Sequence, residues 1–210
     1  MSSPKQLIEG FSRFRERHFA KDDALFRELV EQGQTPKILV VACCDARVDP
    51  ALILDCAPGD LFVIRNVANL VPPAENQGHY HGTSAALEFG VRNLGVRDII
   101  VLGHAQCGGI HALLDGGVDK DDSYIAEWMR IAGAAREQVE QAHAAAGNKV
   151  RHRACEQQAI LVSLNNLMTF SWIRERVERG TLTLHGWYFD IENGQLLGYN
   201  AATRQFSTLQ

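Results

Sequence analysis

The segment KILVVACCDAR, Lys37 to Arg47, decides the fold. Its five apolar residues, 38–42, form a short continuous run, which is typical of a strand buried on both faces in a parallel sheet. The run ends abruptly in a thiol, a carboxylate and a guanidinium, those of Cys43, Asp45 and Arg47. Ligands of open α/β sheets bind outside the carboxyl ends of the strands. We therefore expect a functional site at the carboxyl end of this strand. If the segment stays extended, side chains alternate between its two faces, so those of Cys43, Asp45 and Arg47 would point the same way.

A second buried run, residues 98–102, has the same form and ends in GHAQCGG, residues 103–109. If the two strands are parallel neighbours, Cys43, His104 and Cys107 converge at one edge of the sheet. Two thiolates and an imidazole are ligands that suit zinc, and three protein ligands leave one tetrahedral position open. The pattern therefore predicts a catalytic rather than a structural zinc site.

The pair of Asp45 and Arg47 has two interpretations. By itself, an Asp–Arg pair is most often a structural ion pair. Beside a metal, the same arginine would hold the aspartate by two parallel hydrogen bonds and keep its carboxylate ionised as an acceptor. The residues alone leave both interpretations open.

The rest of the chain predicts an α/β fold with a mainly parallel central sheet and flanking helices, because strands alternate with helical segments. Residues 5–32 have helical spacing and predict N-terminal helical arms with a break near 21–23. A β-rich segment around the Asn193-Gly194 turn signal predicts an antiparallel C-terminal edge strand. Further helices are predicted over residues 83–94, 123–146 and 149–179. We expect a single domain over 1–210, with a helical arm at 1–33 and an α/β core at 34–200.

Composition narrows the class of protein. The 210 residues are 46% hydrophobic and 22% charged, an ordinary globular balance. The formal net charge of −4 argues against a nucleic-acid or anionic-membrane partner. Residues 1–10 have no apolar signal-peptide core, and no apolar run approaches the length of a membrane span. We therefore expect a cytoplasmic protein.

With these motifs in view, the chain resembles the β-class carbonic anhydrases, and in particular their plant-like branch. The family pattern Cys-x-Asp-x-Arg, followed by His-x-x-Cys-Gly-Gly, stands here at residues 43–47 and 104–109. The intervening segments Arg65-Asn66-Val67-Ala68-Asn69 and Gly82-Thr83 also match.

The resemblance implies a zinc ion (Zn²⁺) bound by Cys43, His104 and Cys107, with Asp45 and Arg47 as a catalytic dyad beside it. The implied reaction is the reversible hydration of carbon dioxide to bicarbonate and a proton, by attack of zinc-bound hydroxide that the dyad orients. The resemblance also implies a homodimer, often doubled to a homotetramer.

The resemblance extends to the substrate pocket. Gln34 matches a glutamine with which the plant-like branch hydrogen-bonds substrate, and Gly108 is a further candidate for substrate binding. Phe62, Val67 and Phe89 are candidates for the apolar wall that carbon dioxide needs.

Four positions bear on the details of this pocket. Val40 stands where the bicarbonate-inhibited branch has a tryptophan, so we do not expect that inhibitory pocket in its usual form. Cys44 and Ala46 replace two serines of the common pattern, and Phe89 stands where plant-like enzymes often have tyrosine. These departures leave every expected zinc ligand in place.

The same residues are compatible with two other functions. The same scaffold and ligands would also suit the hydrolysis of carbonyl sulfide or carbon disulfide. A non-catalytic module that binds zinc or bicarbonate is the third possibility.

Overall fold

A computed structural model of the chain describes residues 3–19, 25–75, 81–117 and 123–209. The chain forms two compact units, Met1–Thr35 and Pro36–Gln210. The smaller unit contains α1 (Pro4–Phe19) and α2 (Leu25–Gln32), which confirms the predicted helical arms; the predicted break lies outside the described residues. Neither helix buries a residue, although rings of α1 and α2 pack together, with the centroids of Phe14 and Phe26 5.5 Å apart.

The larger unit is built on a mixed sheet. Its strands are β1 (Ile38–Cys43), β2 (Leu61–Asn66), β3 (Asp98–His104), β4 (Thr183–Asp190), β5 (Gln195–Asn200) and β6 (Gln205–Thr208). In the described residues they lie in the order β2-β1-β3-β4-β5-β6, with β2, β1, β3 and β4 parallel and the last two strands antiparallel. The predicted parallel sheet with an antiparallel C-terminal edge is confirmed. The short strand β6, mostly exposed, was not predicted.

Helices flank this sheet. They are α3 (Pro50–Ile53), α4 (Gly82–Glu88), α5 (Gly108–Leu114), α6 (Tyr124–Met129), α7 (Gly133–Ala142), α8 (Asn148–Leu167) and α9 (Ser171–Glu178). The helix predicted over 83–94 gives way to a π-helical turn at Phe89–Asn93. The helix predicted over 149–179 is interrupted because Phe170 adopts an extended conformation and is buried in the core. The helix predicted over 123–146 is divided by a 3₁₀ turn at Arg130–Ala132.

The central strands are covered on both faces, as their continuous apolar runs predict. Residues 39 and 41 of β1 join 99 and 101 of β3 in one buried cluster. Residues 40 and 42 join 100 and 102 in another, on the opposite face. Among the described residues, no helix combines the length and apolar character needed to cross a bilayer, and the cytoplasmic location stays a prediction.

The strand register decides which side chains meet at the edge of the sheet. Ala42 of β1 lies opposite Leu102 of β3, and Cys43 lies opposite Asn66 of β2. The last residues of β1 and β3 are Cys43 and His104. The carboxyl ends of neighbouring parallel strands therefore carry two of the predicted ligands side by side.

Candidate metal centre

Cys43, His104 and Cys107 form one buried cluster at this edge. Cys107 lies three residues after the end of β3 and immediately before α5. The turn between β3 and α5 brings the Cys107 side chain back to the ends of the strands. One ligand atom from each residue lies within 4.8 Å of the other two. The three residues are 4%, 2% and 2% exposed. The structure thus brings together the three predicted ligands.

The ring of His104 is oriented for metal binding. Its Nδ1 lies 2.9 Å from the carbonyl oxygen of Ala105 and must donate to it, since a carbonyl only accepts. That bond fixes the tautomer and leaves Nε2 with a free lone pair. Nε2 is buried and has no hydrogen-bond partner in the described part of the chain. A buried nitrogen with a free lone pair beside two thiols is suited to bind a metal ion.

The thiols of Cys43 and Cys107 are electrostatically coupled. The pKa of Cys43 is lowered, chiefly because the Cys107 thiol donates a hydrogen bond to it, and the pKa of Cys107 is raised by that bond and by burial. A divalent cation bound by the two deprotonated thiols and the imidazole would have a donor set that zinc prefers. The residues present therefore fit the zinc ion that the sequence motifs predict.

Asp45 and Arg47 form a close ion pair beyond the end of β1. Nε and Nη2 of Arg47 donate to Oδ1 and Oδ2 of Asp45, at 3.0 and 2.7 Å. These side-chain bonds are the main reason why the pKa of Asp45 lies well below its usual range. The predicted alternation from Cys43 to Arg47 is wrong, because β1 ends at Cys43 and the chain turns. The pair forms within that turn, where the Arg47 main-chain N–H also donates to Asp45 Oδ1.

Arg65 stabilises the same turn from β2, a role that the sequence analysis did not assign. Its Nε donates to the carbonyl oxygen of Cys43 at 3.0 Å, and its Nη2 donates to that of Asp45 at 2.7 Å. Its Nη1 donates to Asp49 Oδ2 at 2.8 Å. One guanidinium thus holds the main chain on both sides of Cys44. The only sequence signal was that Arg65 lies in a segment matching the family.

The peptide between Gln106 and Cys107 joins the cluster to two further groups. Its carbonyl oxygen accepts Arg47 Nη2 at 3.0 Å, and its N–H donates to Glu156 Oε1 at 3.1 Å. Glu156 is a buried carboxylate of α8. Sequence analysis missed it because nothing in its local pattern distinguishes it from an ordinary helical glutamate.

The predicted substrate-binding residues near the cluster are Gly108 and Val67. Gly108 opens α5 directly after Cys107, and a Cβ there would meet nothing within 4 Å. Val67 packs against the buried group that contains Cys43 and Cys107. It also lines a cavity of about 760 Å³ together with Asn66 and Thr83, two residues of the family-matching segments. Their roles toward substrate stay predictions.

Two other predicted substrate-binding residues, Phe62 and Phe89, do not join the cluster of their own chain. Phe62 lies opposite Leu39 of β1. Leu39 precedes Cys43 by four residues, which is roughly 13 Å along the strand. Its ring lies 6.0 Å from that of Phe89, which is 43% exposed. Gln34 belongs to the N-terminal unit. For these three residues, contact with substrate stays a prediction.

Comparisons with known proteins agree with this geometry. The family model described as carbonic anhydrase matches residues 38–196. A carbonic anhydrase of Pseudomonas aeruginosa is 38% identical over 205 residues, which cover 98% of this chain and 91% of that protein. The solved β-carbonic anhydrase CcaA is 36% identical with a TM-score of 0.91, over 98% of this chain and 92% of its own. A tetrameric β-carbonic anhydrase of Sordaria macrospora is 29% identical with a TM-score of 0.73, over 94% and 93% of the two chains.

Proposed function

Because the chain belongs to the β-class carbonic anhydrases, carbonate dehydratases that interconvert carbon dioxide and bicarbonate, we propose that its buried cluster holds a catalytic zinc ion beside which Asp45 and Arg47 act. One observation carries the zinc assignment. Nε2 of His104 is buried without a hydrogen-bond partner among the described residues, and His104 forms a group with the buried thiols of Cys43 and Cys107 whose ligand atoms lie within 4.8 Å of one another. When bound, zinc would acidify water and so supply a hydroxide nucleophile near neutral pH.

Asp45 would orient the nucleophile. Its carboxylate is held ionised by Arg47, so it can accept hydrogen bonds but cannot donate one. An O–H group beside it must therefore point its hydrogen at the carboxylate and a lone pair elsewhere. Arg47 fixes the plane of that carboxylate through two bonds, and Arg65 fixes the main chain that carries it. The pair thereby selects the nucleophile orientation that leads to attack on carbon.

Substrate would be held by neutral donors and apolar surface. The amide of Gln34 would donate to a substrate oxygen as negative charge develops there. The main chain at Gly108 is exposed next to the ligand Cys107. Val67 supplies apolar surface at the cluster.

We also infer that the protein works as a homo-oligomer, a dimer or a tetramer. The partly exposed pair of Phe62 and Phe89 lies away from the cluster of its own chain, so it is available to the site of a second copy. The Sordaria relative is described as tetrameric. Sedimentation equilibrium of the zinc-loaded protein tests the assembly, and a monomeric mass would contradict it.

Stopped-flow measurement of carbon dioxide hydration, on protein of known zinc content, tests the activity. Carbonyl sulfide hydrolysis is measured in parallel, because the sequence alone leaves that substrate open. We expect saturable carbon dioxide hydration that greatly exceeds carbonyl sulfide hydrolysis. Zinc-replete protein that hydrolyses carbonyl sulfide and leaves carbon dioxide unchanged would contradict the proposal.

A further inference from the structure

The peptide that joins Gln106 to Cys107 is held on both sides by charged groups. Its carbonyl oxygen accepts Nη2 of Arg47 at 3.0 Å. Its N–H donates to Oε1 of Glu156 at 3.1 Å. The Arg47 nitrogen that binds this carbonyl is also the one that binds Asp45 Oδ2 at 2.7 Å. The proposed dyad is therefore tied to the ligand segment through a single peptide plane.

Glu156 is itself firmly placed. It is 4% exposed and lies on α8, the longest helix in the described part of the chain. The hydroxyl of Tyr188 donates to its Oε2 at 2.7 Å. Nε2 of His111 lies 3.1 Å from its Oε1, the oxygen that also accepts the Cys107 N–H. These partners hold the Glu156 carboxylate in one orientation, so it can fix the orientation of the Gln106–Cys107 peptide.

The backbone conformation of Gln106 requires stabilisation by the surrounding structure. Gln106 has φ of 59°, a left-handed conformation that non-glycine residues seldom adopt. A non-glycine residue keeps a left-handed conformation when several interactions with its surroundings hold it in place. A rotation of the following peptide plane would break the bonds to both Arg47 and Glu156. The strained residue lies between two proposed zinc ligands, His104 and Cys107.

The four groups form a series of alternating polarity. Carboxylate, peptide, guanidinium and carboxylate follow one another from Glu156 to Asp45. A negative charge on the N–H side of a peptide strengthens its carbonyl as an acceptor, because successive hydrogen bonds polarise one another. Glu156 therefore favours the orientation of Arg47 that Asp45 also requires.

We propose that Glu156 is a positioning residue for the Asp45–Arg47 pair and acts through the Gln106–Cys107 peptide. The inference rests on the proposed role of that pair in catalysis. It predicts that the charge of Glu156 matters to Arg47, a side chain that it does not touch. A merely structural glutamate would affect stability and leave the environment of Arg47 unchanged.

The test compares zinc-loaded Glu156→Gln with Tyr188→Phe as the matched control. Glu156→Gln removes the negative charge next to the peptide, whereas Tyr188→Phe removes one hydrogen-bond donor to Glu156 and leaves that charge in place. Zinc content, kcat, KM and the Nε–H NMR signal of Arg47 are measured for each, with the signal assigned from Arg47→Lys. We expect Glu156→Gln to keep its zinc, to lose about tenfold or more in kcat with little change in KM, and to shift the Arg47 signal. Tyr188→Phe keeps the charge of Glu156 and should change both kcat and the Arg47 signal much less than Glu156→Gln does.

The inference is overturned if Glu156→Gln leaves the Arg47 signal in place, or if Tyr188→Phe changes kcat and the signal equally. Asp45→Asn is measured beside them, so that failure of the Glu156 coupling can be distinguished from failure of the proposed function. If Asp45→Asn retains full kcat, the dyad mechanism is wrong, and the Arg47 signal alone decides the coupling. If Glu156→Gln does not fold, Glu156→Asp replaces it, since that variant keeps the charge but withdraws it by one methylene. An unshifted Arg47 signal in Glu156→Asp would overturn the inference too.

Discussion

Arg47 binds Asp45 through three hydrogen bonds, two from its guanidinium at 3.0 and 2.7 Å and one from its main-chain N–H at 2.9 Å. The Asp45 side chain is 18% exposed, so the carboxylate is neither free to rotate nor fully removed from solvent. An aspartate held in this way stays ionised and keeps one orientation. The arrangement suits a fixed acceptor beside a reacting hydroxyl group.

Asp45→Asn tests that role. The amide would present donors as well as an acceptor and would lose the charge that orders Arg47. We expect kcat for carbon dioxide hydration to fall by about 10²–10³-fold while the zinc content stays at the wild-type level. Glu175→Gln is the matched control, because Glu175 forms an exposed ion pair with Arg179 at 3.6 Å, distant in sequence from the ligand motifs. Equal activity of the two variants would show that the dyad is only structural.

Removal of the metal should destabilise the fold. Zinc that binds the native cluster and not the unfolded chain adds to the free energy of unfolding by mass action. Without it, Nε2 of His104 stays buried without a partner among the described residues, beside two buried thiols. We expect a strong chelator to lower the Tm measured by calorimetry, and added zinc to restore it. A Tm that chelation leaves unchanged, despite loss of zinc, would argue against a metal at this cluster.

Gly109→Ala should cost stability because the main chain at Gly109 is closely packed. A Cβ there would lie 2.9 Å from Cγ1 of Val67 and 3.3 Å from Cβ of Ala68. We expect the free energy of unfolding to fall by about 1–3 kcal/mol, measured by urea denaturation. Gly108→Ala is the control, since its Cβ would meet nothing within 4 Å. Equal stability of the two variants would contradict the packing argument.

Asp190 should make stability depend on pH. Its pKa is lowered from 3.8, first by hydrogen bonding from the Asn193 side chain, and it is 1% exposed. Because the folded pKa lies below the unfolded value, its contribution is present above pH 3.8 and is lost as the pH falls through the folded pKa.

Asp190→Asn should therefore lower the free energy of unfolding by about 1–3 kcal/mol at neutral pH. The difference between variant and wild type should narrow in acid, as followed by urea denaturation across the pH range. A difference that stays constant down to the lowest pH would show that the Asp190 charge does not contribute.

The central fold and the ligand cluster could be predicted because they depend on local patterns. Two short apolar runs that end in polar motifs specify strands buried on both faces, and parallel pairing brings Cys43 and His104 to one edge. The exposed strand β6 lacks such a run. The break before α9 arises because Phe170 is drawn into the core, which is a tertiary effect.

The groups that support the site were harder to predict. Glu156 reaches the Cys107 N–H from 49 residues away, so neither its spacing nor its neighbours indicate a role. The turn that joins Asp45 and Arg47 was mistaken for extended chain because the motif alternates polar and small residues. The aromatic pair of Phe62 and Phe89 stays a predicted part of the apolar substrate wall, and the register of β2 places Phe62 toward the other end of the strand from Cys43.

The most direct test of the zinc-hydration account compares Cys107→Ala with Cys155→Ala. Both remove a buried thiol from the same hydrophobic cluster, in which Cys155 is 0% exposed, but only Cys107 is one of the three candidate zinc ligands. Zinc per chain and the rate of carbon dioxide hydration are measured on both purified variants and on the wild type. The account predicts that Cys107→Ala loses both zinc and activity while Cys155→Ala keeps both. Full zinc and full activity in Cys107→Ala would contradict it.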